Sequence, residues 1–119
     1  VFGECGGYMV LGEALVDQRG ERHGMAGLLP VETSFVERRL SLGYRQVELA
    51  ADAVFGADGM SFRGHEFHYA RVVREGPARA LFRARDAAGR ALGDSGLVSG
   101  SVAGSFVHLV DRAERAGFP

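Results

Sequence analysis

Gly3-Glu4-Cys5-Gly6-Gly7 has the form G-x-C-x-G and stands between an apolar pair, Val1-Phe2, and a run with helical spacing. This is the thiol counterpart of the nucleophile elbow, in which a reactive side chain sits on a strained strand-to-helix turn and the next backbone N–H faces a developing oxyanion. Small neighbours relieve crowding at such a bend, and Gly6 would supply the N–H. A helix N-terminus behind the thiol favours thiolate, so the spacing predicts a Cys5 pKa drawn from roughly 8.5 toward neutrality. The same cysteine can be read as an inert buried thiol, because free cysteine is among the most buried residue types and 18 glycines make the pattern easy to meet by chance.

A thiol nucleophile needs a base within hydrogen-bond reach, and the base usually comes from far along the chain. Four histidines compete. His23 lies in the polar turn Gly20-Glu21-Arg22-His23-Gly24 and reads as a surface residue. His65 and His68 share a predicted strand, where an offset of three residues turns them to opposite faces. That offset argues against zinc held by His65, Glu66 and His68, and H-E-F-H is not the helical H-E-x-x-H of metalloproteases. His108 stands inside an apolar strand-like run, either as a satisfied core histidine or as the base that Cys5 requires.

Presenting Cys5 to a distant histidine demands an ordered set of elements. Met9, Val10, Ala14 and Leu15 follow one face of a helix, which predicts a helix over 6–16, closed by Asp17-Gln18-Arg19-Gly20. Met25-Ala26-Gly27-Leu28-Leu29-Pro30 reads as a buried strand or packed loop stopped by Pro30. Strands are predicted over 40–49 and over 60–73, the second alternating Phe62, Gly64, Phe67, Tyr69 and Val72 among polar residues. Segments 80–86 and 90–98 flank Ala87-Ala88-Gly89, a hairpin turn whose glycine can take positive φ. A glycine and serine cluster over 99–105 leads into the apolar run 106–110, and Asp111 begins a terminal helix through Ala116.

Composition bounds the remaining classes. With 119 residues and 46% hydrophobic content, the chain can build one domain with its own core. Its 14 basic and 15 acidic residues leave a net charge of -1, with no basic surface to track nucleic acid. One cysteine cannot form an internal disulfide. No stretch approaches the roughly 20 apolar residues of a membrane span, and no signal peptide opens the chain, so a cytoplasmic location is expected. Val1-Phe2 reads as a buried strand cut near its end. A parallel sheet missing its first strands would expose apolar faces and favour self-association.

Four motifs now stand in order: Gly3-Glu4-Cys5-Gly6-Gly7-Tyr8-Met9, Met25-Ala26-Gly27-Leu28-Leu29-Pro30, Arg63-Gly64-His65-Glu66-Phe67-His68-Tyr69 and Ser105-Phe106-Val107-His108-Leu109. Together, and over nearly the whole chain, they resemble the cobyrinic and hydrogenobyrinic acid a,c-diamide synthases. The resemblance implies an α/β, flavodoxin-like class I glutamine amidotransferase domain of the cobyric acid synthase type, N-terminally truncated and strand-rich in its C-terminal half. It implies Cys5 as nucleophile, His108 as the base that raises its nucleophilicity, the Gly6 backbone at the oxyanion, and glutamine as substrate. An upstream ATP-binding domain would bring ATP, Mg2+ and the corrinoid substrate, with no cofactor in this chain.

One position departs from the wider pattern. Class I glutaminases of this kind usually carry a glutamate two residues after the histidine, and here that position is Val110. The expected triad is thereby reduced to a dyad. Glu66 or Asp111 could orient His108, but Glu66 could equally hold its strand or contact glutamine, and Asp111 could equally cap the last helix; His68 is a further residue that could orient the base or contact glutamine. Alternative readings are amidation of another tetrapyrrole of siroheme or nickel-sirohydrochlorin type, a non-catalytic glutaminase-fold binding module, and a cysteine hydrolase of other amides or esters.

Overall fold

The computed structural model describes residues 1–37 and 39–113. Along the chain run β1 (Phe2–Glu4), α1 (Gly6–Leu11), β2 (Ala14–Val16), β3 (Arg22–Gly24), β4 (Val31–Ser34), β5 (Ser41–Leu49), β6 (Ser61–His68), β7 (Arg71–Glu75), β8 (Arg79–Asp86), β9 (Ala91–Ser99), β10 (Val102–Ser105) and β11 (His108–Arg112). A seven-stranded sheet has the order β1-β10-β9-β8-β5-β6-β11, and a four-stranded sheet the order β3-β2-β4-β7. Both are mixed, with parallel pairings at β1/β10 and β2/β4. The strand-rich character expected of the C-terminal half extends through the described chain.

The predicted helix ends five residues early. Gly12 packs so closely that a Cβ there would stand 2.6 Å from the Val31 carbonyl, and the Glu13 N–H turns to that carbonyl at 2.8 Å. Residues 14–16 then pair in parallel with β4. The buried side chains of α1 are Tyr8 and Leu11, while Val10 is exposed, so the apolar spacing that suggested a longer helix belongs to two elements. The 25–30 segment is a packed loop: the N–H groups of Leu28 and Leu29 both donate to the Leu11 carbonyl at 2.9 Å, satisfying the end of the short helix.

The strand predicted over 60–73 is two strands in different sheets. The chain leaves β6, turns at Tyr69-Ala70 and enters β7, which pairs with β4. His68 Nδ1 meets the Ala70 carbonyl at 2.9 Å across this corner, and Ala70 is buried. Apolar alternation continues through the bend, with neither glycine nor proline to mark it.

The 86–90 turn follows its chemistry. Gly89 has φ 84, and Asp86 Oδ1 accepts the N–H groups of Ala88 and Arg90 at 3.0 and 2.9 Å. By contrast, the glycine and serine cluster supplies strand β10, and Asp111 lies inside β11 instead of starting a helix. Residues 114–116 of that expected helix lie outside the described residues.

Two apolar clusters hold the elements. Val47, Leu49, Leu81, Phe82 and Val107 gather beneath the larger sheet, and Tyr8, Leu11, Leu29, Val31 and Phe106 gather beneath α1. Fully burying each large side chain contributes about 1.5–3 kcal/mol. Phe106 and Val107, adjacent in sequence, enter different clusters and so anchor the approach to His108 on two sides.

Candidate functional site

Cys5 is the one non-glycine residue with positive φ among the described residues, at φ 53 and ψ -107. It joins the end of β1 to the start of α1, so the elbow expected from G-x-C-x-G is formed, with the strain such elbows store. Gly3 permits it: a Cβ there would lie 2.7 Å from the carbonyl group of Gly7 and from Leu11 Cδ1. The expected steric reason does not extend to Gly6 and Gly7, which have open space where a Cβ would stand.

Main-chain contacts then bring the 105–109 segment to the elbow. Cys5 N–H donates to the Ser105 carbonyl at 2.9 Å. Ser105 is fully buried, and its Oγ accepts the Val107 N–H at 3.1 Å while lying 2.9 Å from Ser95 Oγ. These contacts fix the turn from β10 into β11, whose first residue is His108. A Cβ on Gly64 would collide with the His108 carbonyl, so glycine at 64 lets β11 lie against β6. The imidazole of His108 stacks on that of His65, with ring centroids 5.1 Å apart and planes at 27°.

Cys5 and His108 are joined through the backbone, with no direct side-chain hydrogen bond between them. The thiol points to the Phe67 carbonyl at 3.9 Å, a weak contact. Burial pushes the thiol pKa up, the Gly6 N–H draws it down, and the Glu66 carboxylate pushes it up again. The net direction is upward, which overturns the expected shift toward neutrality. The six-residue α1 offers a single N–H to the sulfur, too little to outweigh desolvation and a neighbouring negative charge.

The hydrogen bonds of Glu66 and His68 go to Arg45, to Ala70 and to each other, with none to His108. Glu66 Oε2 accepts from Arg45 Nε at 2.6 Å and Oε1 meets His68 Nε2 at 3.2 Å. His68 also stacks on Phe106, with centroids 4.0 Å apart. Burial would raise the Glu66 carboxyl pKa, but hydrogen bonds from His68 and Arg45 outweigh it and hold the group below its ordinary value. Asp111 is committed to Arg63 through two hydrogen bonds of 2.9 and 2.8 Å. The groups that do touch the His108 segment are His65 and Glu4, whose Oε2 accepts the Leu109 N–H at 2.7 Å. Neither was singled out from the sequence as a partner of His108. Glu4 occupies the variable place in G-x-C-x-G, and strand register alone brings His65 opposite His108.

His23 is exposed as expected, with Nε2 2.8 Å from Asp17 Oδ2. Asp17, Glu21 and His23 form the one group among the described residues whose ligand atoms could converge on a metal ion. Asp17 Oδ1 is already taken by the N–H groups of Arg19 and Glu21. No helix among the described residues is long and apolar enough to cross a membrane.

A cysteine held on a strained strand-to-helix turn of a mixed sheet, with a histidine segment bonded beside it, has the form of a nucleophile elbow with a thiol in place of the hydroxyl. The chain belongs to the CobB/CobQ-like glutamine amidotransferase domain family, which it matches over residues 1–115. Membership makes it a glutamine-using amidotransferase domain. It is 58% identical over 116 residues to hydrogenobyrinate a,c-diamide synthase of Sinorhizobium sp, covering 98% of this chain and 26% of that protein. Proteins of the same name from Rhizobium meliloti (strain 1021) and Brucella abortus biovar 1 (strain 9-941) are 56% and 55% identical over 114 and 111 residues, covering 96% and 93% of this chain. The chain spans about a quarter of the length of these relatives.

Proposed function

We propose that this chain performs the glutamine-hydrolysing half of an ATP-dependent amidation of the a and c acetate carboxylates of hydrogenobyrinate or cobyrinate. The names and identities of the relatives support the substrate, and the strained Cys5 elbow bonded to the His108 segment supports the chemistry. ATP and Mg2+ would act in a separate ATP-binding domain that activates the carboxylate.

Because burial favours the neutral thiol, attack on glutamine needs a base as it occurs. His108 takes the Cys5 proton as Sγ bonds to the side-chain amide carbon, and the carbonyl electrons move to oxygen, where the Gly6 N–H donates. Collapse of this adduct breaks the C–N bond, and His108 returns the proton to the departing ammonia, leaving a thioester. Water then attacks the thioester carbon while His108 takes its proton. Breaking the C–S bond frees glutamate, and the proton goes back to Cys5 sulfur. The ammonia displaces the activating group from the carboxylate.

The test is covalent labelling of the complete protein by the diazoketone analogue of glutamine, read by intact mass. Cys5→Ser abolishes the label, and His108→Ala slows it by roughly 100-fold or more. Unchanged labelling of Cys5→Ser would move the nucleophile elsewhere. Ammonia-dependent amidation of hydrogenobyrinate by Cys5→Ser, without glutamine-dependent amidation, is the expected signature of a separate synthetase step.

A further inference from the structure

We infer that Glu4 is a positioning residue for His108, and that its carboxylate does for the open edge of the larger sheet what a strand-to-strand hydrogen bond does inside it. This rests on the proposed Cys5–His108 dyad and adds to it the group that holds the histidine segment in place.

The argument starts from the order of strands. β1 and β11 are the two ends of the seven-stranded series, each paired on one side within it. Yet the Glu4 side chain, on β1, accepts the N–H of Leu109, on β11, at 2.7 Å across 105 positions of sequence. The Cys5 thiol likewise approaches the Phe67 carbonyl on β6, the strand next to β11. The sheet therefore curls until its two edges face each other. A groove of about 360 Å³ lies here, lined by Phe2 and Glu4 of β1, by residues 109–112 of β11, Asp111 and Arg112 among them, and by Phe55 and Phe62. The walls are largely apolar, β1 and β11 do not pair with each other, and an N–H of β11 facing such a groove needs an acceptor.

Glu4 supplies that acceptor at the position adjoining the nucleophile. On one side of the elbow, Cys5 N–H bonds to the Ser105 carbonyl. On the other, Glu4 bonds to the residue after His108. The histidine is thus bracketed at 105 and at 109 by residues 5 and 4. With Glu66 committed to Arg45 and His68, and Asp111 to Arg63, Glu4 is the carboxylate bonded to the backbone beside His108. A glutamate positioned in this way acts through a backbone N–H and leaves the imidazole nitrogens free, so neutral glutamine should serve nearly as well.

The experiment is inactivation of the complete protein by the diazoketone analogue of glutamine, with rate and half-saturation measured separately from pH 6 to 9. The variants are Glu4→Gln, Glu4→Asp, Glu4→Ala, His108→Ala and the double Glu4→Ala/His108→Ala. Glu4→Asp keeps the charge but withdraws the acceptor by one methylene. Glu4→Ala and Glu4→Asp are expected to lose roughly ten- to a hundredfold in maximal rate, part of what a general base contributes, with half-saturation unchanged. Glu4→Gln stays close to wild type across the pH range. The double variant is no slower than His108→Ala, because a residue acting only through His108 has nothing further to lose. Wild-type rates in Glu4→Ala beside a slow His108→Ala would overturn the positioning role and leave the dyad standing. Losses that multiply in the double variant, or a Glu4→Gln as slow as Glu4→Ala, would also overturn it. A His108→Ala variant that labels at the wild-type rate would remove the dyad and this inference together.

Discussion

Two glutamates lie close to Cys5 in regions of opposite construction. Glu66 belongs to the uninterrupted β5/β6 ladder, registered from Ser41 opposite His68 to Glu48 opposite Ser61. There the backbone satisfies itself, and the side chains are left to pair charges, as Glu66 does with Arg45 and His68. Glu4 belongs to the gap between β1 and β11, where the ladder stops and a side chain completes the backbone's hydrogen bonding. The gap also contains the strained residue, Cys5. Continuity makes one region stable and chemically quiet. Its interruption brings a half-buried thiol, a histidine segment and a backbone donor close to one another.

The strongest way to test this contrast in stability is Glu66→Gln. Arg45 and Glu66 expose 13% and 17% of their side chains, so removing the negative partner leaves a largely buried guanidinium with its bond to the Tyr44 carbonyl but without a compensating charge, at a cost of about 3 kcal/mol near neutral pH. The pH dependence has a definite sign. The folded protein holds the Glu66 carboxyl below its ordinary value, so the stabilisation is present above the unfolded carboxylate range and is lost as pH falls through the lower folded value. Denaturant midpoints of wild type and Glu66→Gln should therefore differ at pH 7 and converge below about pH 4. A constant difference down to pH 2 would mean that packing, not charge, is lost.

A smaller effect of opposite sign is expected at the gap. Cys5 holds φ 53 and ψ -107, and backbone strain at such a position is relieved by glycine, which has no Cβ. Cys5→Gly should be more stable than Cys5→Ala by about 1–2 kcal/mol, reversing the order found at an ordinary strand or helix position. Thermal unfolding of the two variants side by side measures it, since both lose the sulfur. If Ala is the more stable, the elbow is not strained and the contrast between the regions loses its backbone half.

Legibility in the sequence divides along the same line. The 86–90 hairpin and β5 could be read because glycine, aspartate and alternating side chains act locally there. The elbow was legible for a related reason, as its glycines and cysteine are contiguous. What stayed hidden depends on contacts remote in sequence: the end of α1 is set by the Val31 carbonyl pressing on Gly12, and the corner at 69–70 by pairing of β7 with β4. Glu4 was invisible for that reason, its partner being 105 positions away. The raised thiol pKa was misjudged because helix length and burial, which decide the sign, are properties of the folded state. Glu66 and His68 drew notice as motif residues, and they form a network with Arg45 whose register no local pattern announces.

The smallest effect bears on what lies beneath the gap. Tyr8, in the first turns of α1, is 1% exposed and packs edge-on against Phe106 at 5.4 Å, yet its hydroxyl has no hydrogen-bond partner among the described residues. Burial, and then the Glu75 charge, push its pKa far above the usual phenol value. An unpaired buried hydroxyl carries its desolvation penalty with no compensating bond. Tyr8→Phe keeps the ring and its contact with Phe106, so it should leave stability unchanged or raise it by up to about 1 kcal/mol, where a hydroxyl with a good partner would cost about that much to remove. Chemical denaturation decides the sign. A destabilised Tyr8→Phe would show that the hydroxyl finds a partner in solution, and that the ground beneath the elbow is as well satisfied as the β5/β6 ladder.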